Sequence, residues 1–234
     1  MTDTANRNVL IIGGHGKVAQ LATPRLVAAG HDVTSLIRSP EQVPDIEALG
    51  STPQVRDLTA LRVEDWVELM RDMDVVIWSA GNGGRDGSSA TYAIDRDGAL
   101  ALIDALTQLG EDAPRLLMVS YLGSLEHGVS PEDPFFPYAD AKETVDRRLL
   151  DSDLDYLILA PSRLTMEPAG GIEVGDNARS AARSAEDSST TSRELVAMVL
   201  TEMAGRDSLP QEKILPFVDA DGGADAAQRG VEKL

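Results

Sequence analysis

The chain has 234 residues, 42% of them hydrophobic, which suits one α/β domain with at most a small appended lobe. Lys and Arg total 21 against 39 Asp and Glu, a formal net charge of -18, which argues against nucleic acid over most of the surface and against anionic membranes. Cysteine is absent, excluding disulfides, thiolate catalysis and Cys-based metal sites, and the three histidines, His15, His31 and His127, lack ligand-like spacing, so no metal is expected.

The opening "MTDTANRN" has no basic segment leading into an apolar one, and no apolar run approaches a membrane span. A cytoplasmic monomer or small homo-oligomer acting on a small molecule is expected. "NVLIIG" predicts a buried strand, followed by a helix from about Gly16 to Ala29. "GHDVTSLIR" supplies a turn and second strand, "EQVPDIEALG" a short helix interrupted near Pro44, and "TPQVRDL" a third strand. "RVEDWVELMRDM" has helical spacing, "DVVIWSAG" is a fourth strand, and "AIDRDGALALIDALTQLG" a long amphipathic helix. "RLLMVSYLG", "YADAKETVDRRLLDS" and "LDYLILAPSRL" continue as strand, helix and strand.

Nearly continuous apolar strands alternating with helices predict a parallel sheet covered on both faces, a doubly wound Rossmann-type α/β fold. After Pro161 the sequence becomes small, polar and Gly-rich, so residues 165–190 and the C-terminal segment are expected to form a small, loop-rich substrate lobe on a single domain spanning 1–234. The acidic stretch at Glu186 and Asp187 is expected to be a solvated loop. "SRELVAMVLTEMAG" predicts another helix, capped by Thr191 or Ser192, and "KILPFVD" a last strand. The tail after it is expected to be surface or partly disordered. Trp66 and Trp78 sit in apolar patterns and are expected in the core.

The glycines fall as Gly13, Gly14 and Gly16, with Ala19 following. A glycine at a strand end permits a sharp turn, a second permits close approach to a diphosphate, and a small third residue lets helix and strand pack. The helix N-terminus then offers free N–H groups to an anion. His15, Gly16, Lys17 and Val18 complete this candidate cradle with Gly13. At the end of the second strand an acid selects the ribose hydroxyl of NAD, whereas an arginine accommodates the phosphate of NADP. Here "LIRSP" places Arg38 and Ser39 there, which favours NADP(H) over NAD(H).

These segments together resemble the short-chain dehydrogenase/reductase superfamily, in its atypical NAD(P)H-binding branch of NmrA-like and biliverdin/flavin reductase-like proteins. The resemblance covers roughly residues 8 to 205, through "IIGGHGKVA", "RDLTA", "WSAGNGG", "DRDGALALIDAL", "MVSYLG", "YADAK" and "LDYLILAPSRLTMEPAGG". It implies that Asp57 and Leu58 flank the adenine, that Ala80 and Gly81 lie along the cofactor, and that Pro161 and Arg163 lie near the nicotinamide. "YADAK" matches the superfamily's Y-x-x-x-K. Tyr138 and Lys142 then share a helix face, and the ammonium is expected to lower the phenol pKa. The resemblance implies that Tyr138 moves a proton during hydride transfer, that Lys142 holds the ribose, and that Ser120, or failing it Ser124, binds the reacting oxygen. Departures from the pattern are Tyr121 in place of a second serine, Asp97 near the usual helix Asn, and Ala160 where Arg is common. An NADP(H)-dependent oxidoreductase on a small carbonyl, quinone or flavin-like substrate is the first expectation. The alternatives are a sensor of NADP(H) without turnover and an epimerase or dehydratase.

Overall fold

In the computed structural model, which describes residues 6–83, 86–183 and 189–234, the apolar runs become strands buried on both faces. Glu186 and Asp187, expected in a solvated loop, lie outside the described residues, as do Gly84 and Arg85. The first half runs β1 (Asn8–Ile12), α1 (Lys17–Ala28), β2 (Asp32–Ile37), α2 (Val43–Ala48), β3 (Thr52–Val55), α3 (Val63–Met70) and β4 (Val75–Trp78). Next, α4 (Gly87–Thr91) passes through a π-helical stretch, Tyr92–Gly98, into α5 (Ala99–Leu109). Then follow β5 (Arg115–Val119), α6 (Phe136–Leu150), β6 (Tyr156–Pro161), β7 (Arg163–Thr165) and β8 (Gly171–Val174). The chain ends with α7 (Gly175–Arg183), β9 (Thr190–Ser192), α8 (Arg193–Gly205), β10 (Ile214–Ala220) and α9 (Gly223–Val231).

Eight strands form one sheet in the order β3-β2-β1-β4-β5-β6-β10-β8. All neighbours are parallel except β10 and β8. The chain winds outward from β1 through β2 to β3, then returns to place β4 on the other side of β1. That reversal opens a crevice at the C-terminal ends of β1 and β4, where ligands of open α/β sheets bind. On one face, Ala19, Ala22 and Leu26 of α1 pack with Leu195, Val199 and Met203 of α8 beneath Val9 and Ile11. On the other, Trp66 and Met70 of α3 pack with Leu102 and Leu106 of α5 and Val145 of α6 beneath Leu10 and Ile12. Alternate residues of one strand thus feed two separate cores. Both tryptophans are fully buried, their rings 6.2 Å apart, as the apolar patterning predicts.

The C-terminal third carries more regular structure than its composition implies. The segment expected to form the lobe contributes β8, which pairs antiparallel with β10 at the sheet edge, and β7, which pairs with β9 in a two-stranded ribbon. Ser192 caps α8, its hydroxyl accepting from Leu195 N–H at 3.1 Å. The tail, expected to be surface or partly disordered, is largely exposed but regular: α9 buries Ala227 and Val231 completely, in the same core as α8. Only two of its nine residues are apolar and buried, so the pattern was too sparse to announce a helix. Val231→Ala should therefore lower stability by about 1–3 kcal/mol, read as an earlier denaturant midpoint; an unchanged midpoint would show that the tail does not pack.

Candidate active site

A cavity of about 640 Å³ occupies the crevice between β1, β2 and β4. Gly13, His15, Gly16, Arg38, Asp57, Leu58, Ala80 and Gly81, expected from the sequence, all line it. Its floor is the glycine turn. Gly13 has φ +84°, and a Cβ there would stand 2.7 Å from Ala80 Cα. A Cβ on Gly14 would stand 2.4 Å from Ser35 Cβ. Both strand ends can approach only because these side chains are missing. Gly16 is the N-cap of α1 and brings no side chain to cap it; no acid lies in the first turn. The N-terminus of α1, the positive end of its dipole, thus begins at a residue that lines the cavity, with first-turn N–H groups that no side chain caps. This donor set, with backbone close enough for contact, fits a diphosphate.

Two guanidiniums stand at one end of the cavity, Arg38 after β2 and Arg56 after β3. Neither makes a hydrogen bond or ion pair with a described residue, although 39 acids crowd the chain. Arg56 was missed in the sequence; its signal was its place beside Asp57 in "QVRDL", one strand over from Arg38. Asp57 caps the following turn, its carboxylate accepting from the Thr59 N–H at 3.0 Å and the Thr59 hydroxyl at 2.7 Å. His15 Nε2 lies 2.9 Å from an Asp45 carboxylate oxygen. Of the other expected residues, Val18 is buried in the core, Lys17 is exposed at the start of α1, and Ser39 donates to Glu41. Arg163 is exposed on β7, and Pro161 is buried at the end of β6. None of these four lines the cavity, nor does Ser39.

At the other end, Gly81 meets a second group of residues. A Cβ on Gly81 would stand 2.9 Å from Oδ1 of Asp95, a fully buried acid in the π-helical stretch. The Asn82 N–H donates to Asp95 Oδ2 at 2.9 Å. Asp95 Oδ1 lies 3.9 Å from Nζ of Lys142, itself 3% exposed, which donates to the Val119 carbonyl at 3.0 Å. Ser120, which follows β5, donates to Oδ2 of Asp146 at 2.5 Å. Ser124, also buried, acts on the same carboxylate and favours its charged form, so both candidate serines lie near one acid. Tyr138, Lys142 and Asp146 recur every four residues along one face of α6. The Tyr138 ring packs on Tyr121 and Phe135, with centroids 5.7 and 5.3 Å away.

This cluster holds two buried carboxyls and one ammonium. Burial raises the pKa of both Asp95 and Asp146, and Lys142 only partly offsets it. The expected lowering of the Tyr138 pKa is overturned. Burial raises it, and the two acids raise it further, while Lys142 Nζ is turned to Val119 and Asp95, 5.8 Å from the ring centroid. Asp97, expected near the family's Asn position, is exposed and paired with Arg96 at 2.7 Å; Asp95, two residues earlier, is the buried group. Both acids were missed. Asp146 was signalled by its four-residue step beyond Lys142, whereas a π-helical phase shift hid Asp95 from a 3.6-residue count.

Comparison with known proteins places this geometry. A family model described as NAD(P)H-binding matches residues 13–207. The chain is 31% identical over 168 residues to a Bacillus subtilis protein named an uncharacterized sugar epimerase, covering 70% of this chain and 75% of that one. It is 32% identical over 182 residues to a Schizosaccharomyces pombe protein of no named activity, covering 69% and 72%. A solved Bacillus halodurans protein, provisionally assigned as an NAD-dependent epimerase/dehydratase, superposes with a TM-score of 0.79 at 27% identity, over 98% of this chain and 100% of that one. An anaerobilin reductase from Escherichia coli shares the fold at TM-score 0.69 and 20% identity, over 93% and 99%.

The raised acids have a thermodynamic consequence. The folded chain holds protons that the unfolded chain releases at the ordinary carboxylate pKa. Their contribution to stability is fully present below that value and is lost as pH rises through the raised ones. Denaturant titrations across acid to neutral pH should therefore show Asp95→Asn gaining on the wild type as pH rises; a constant difference would mean that Asp95 folds ionised.

Proposed function

The chain belongs to the NAD(P)H-binding family, and on that premise we propose that it is an NADP(H)-dependent oxidoreductase moving a hydride to or from a small carbonyl, quinone or flavin-like substrate. The observation that carries this reading is one cavity running from two guanidiniums without an ion pair among the described residues, past a diphosphate cradle, to Gly81, behind which lies Asp95, 3.9 Å from Lys142; Tyr138, Lys142 and Ser120 do not themselves line it. In this reading the cradle at Gly13 and Gly16 takes the diphosphate, and Asp57 and Leu58 flank the adenine. Arg38 and Arg56 bind the ribose phosphate as charge-assisted donors. Lys142 keeps two N–H donors beyond the one given to Val119, available to ribose hydroxyls. The bound nicotinamide supplies the hydride chemistry. Tyr138, a neutral phenol because its pKa is raised, donates a hydrogen bond to the substrate oxygen, and Ser120 a second. Pro161 and Arg163 belong to the substrate side of the site.

The protein is further proposed to act in the cytoplasm on a small molecule, as a monomer or small homo-oligomer and apart from nucleic acid and membranes. Among the described residues, no helix is long and apolar enough to cross a membrane. The reductase named among the fold neighbours agrees with hydride transfer. The epimerase names of the relatives support a second reading on the same cofactor, in which the hydride returns to the substrate. A sensor without turnover is the third, supported by a phenol poorly suited to ionise.

Quenching of tryptophan fluorescence should report NADPH binding about 10- to 100-fold tighter than NADH, because Trp78 ends the strand leading to Ala80. Arg38→Ala and Arg56→Ala should each erase most of that preference; equal affinities in the wild type would refute the assignment. A screen of quinones, flavins and aldehydes for NADPH oxidation tests turnover, and silence throughout would move the protein to the sensor reading.

A further inference from the structure

We propose that Asp146 stores the proton of the reaction and delivers it through the Ser120 hydroxyl, so that Tyr138 orients the substrate oxygen without itself ionising. This rests on the hydride-transfer reading above. Asp146 is fully buried, and its Oδ1 has no hydrogen-bond partner among the described residues. Its Oδ2 lies 2.5 Å from Ser120 Oγ, a length typical of an O–H···O contact to a carboxylate. That contact has two proton arrangements. With Asp146 ionised, the serine hydroxyl points at the acid. With Asp146 protonated, the acid donates to Ser120 Oγ and frees the serine hydrogen for another acceptor.

Ser120, 3% exposed, adjoins the cavity without lining it. It follows Met118 by two residues as Ala80 follows Trp78, and Met118 and Trp78 are direct neighbours in the sheet. Ser120 is therefore level with a residue that lines the cavity. The charge count favours a stored proton: Asp95 and Asp146 share one ammonium, Lys142, so two ionised acids would leave a buried excess negative charge. The other titratable groups facing Asp146 are Tyr121 after β5, Tyr138 on α6 and Tyr156 on β6. All three have raised pKa values, so each remains a neutral phenol and none neutralises the acid.

The step balances. The substrate carbonyl carbon gains a hydride from reduced nicotinamide, which is oxidised, and the C=O π pair moves to oxygen. That oxygen takes the Ser120 hydroxyl proton as Ser120 Oγ takes the proton from Asp146 Oδ2. Asp146 is left a carboxylate near Lys142 with a hydrogen bond from Ser120, and, being fully buried, regains its proton through the Ser120 hydroxyl once product has left. The group is a positioning and proton-storing residue acting through Ser120.

Asp146→Asn keeps the shape and removes the transferable proton. The wild-type kcat for reduction should hold at low pH and fall as pH rises through the Asp146 titration. Asp146→Asn should lower kcat about 100-fold, flatten that limb and leave the NADPH Kd unchanged. Ser120→Ala should flatten it too, and the double variant should be no worse than either single one. Independently of turnover, infrared difference spectra of the full chain at neutral pH should show a protonated carboxyl band that persists in Asp95→Asn and that Asp146→Asn removes from that background. A limb that survives in Asp146→Asn but disappears in Tyr138→Phe would overturn the proposal, as would an absent band. Should Asp146→Asn fail to fold, Ser120→Ala and the wild-type pH profile decide alone. A wild type inert towards every acceptor would refute the hydride-transfer reading, and the proposed delivery with it, while the band would still report whether Asp146 holds a proton.

Discussion

The arrangement of the site depends on the side-by-side pairing of β1 and β4. Because β4 lies against β1 rather than β3, the turns after these two strands face one another across a crevice. Gly13 and Ala80 then come so close that the first cannot carry a side chain. The missing atoms leave bare backbone at the cavity floor instead of a packed methyl. Every later feature is measured from this point: α1 starts at its edge, Arg38 and Arg56 arrive from the strands on one side, and Ser120 comes from the strand on the other.

The electrostatics act against the average of the molecule. A chain with net charge -18 repels a polyanion in general. Binding a cofactor with two or three phosphates requires a local exception, and the cavity supplies it with neutral backbone dipoles and two guanidiniums that make no ion pair among the described residues. Beyond Gly81 the balance reverses, for there two carboxyls are buried around one lysine. Burying an ionised acid is costly unless it is paired, so protons are retained where pairs run out. One molecule thus places fixed positive charge at one end of the crevice and buried acids beyond the other.

Much of this was legible in the sequence. "NVLIIG", "DVVIWSAG" and "LDYLILAP" are long apolar runs of the kind that only doubly covered parallel strands bury, and the structure pairs them in one parallel sheet. The glycine spacing and Arg38 led directly to the cavity. What was hidden depends on three-dimensional partners. Residues 171–174 and 223–231 are too polar to predict a strand and a helix; they become regular because β10 offers a free edge and α8 a free face. Arg56 becomes significant only when β3 pairs with β2 and sets it near Arg38.

Tyr138 and Lys142 show how a correct spacing leads to an incomplete chemical inference. Four residues apart on a helix, they do share a face, as the pattern requires. The expected effect of one on the other nevertheless fails, because an ammonium acts on its nearest partners, and these are the Val119 carbonyl and Asp95 rather than the phenol. Sequence spacing fixes which side chains can meet, whereas burial and the full set of neighbouring charges decide which protonation states exist. With two acids raising the phenol pKa and one of them touching Ser120, the mobile proton sits more stably on a carboxyl than it leaves a tyrosine. A tyrosine–lysine pair is therefore insufficient to locate the acid of a reaction wherever a buried carboxylate lies on the next turn of the same helix.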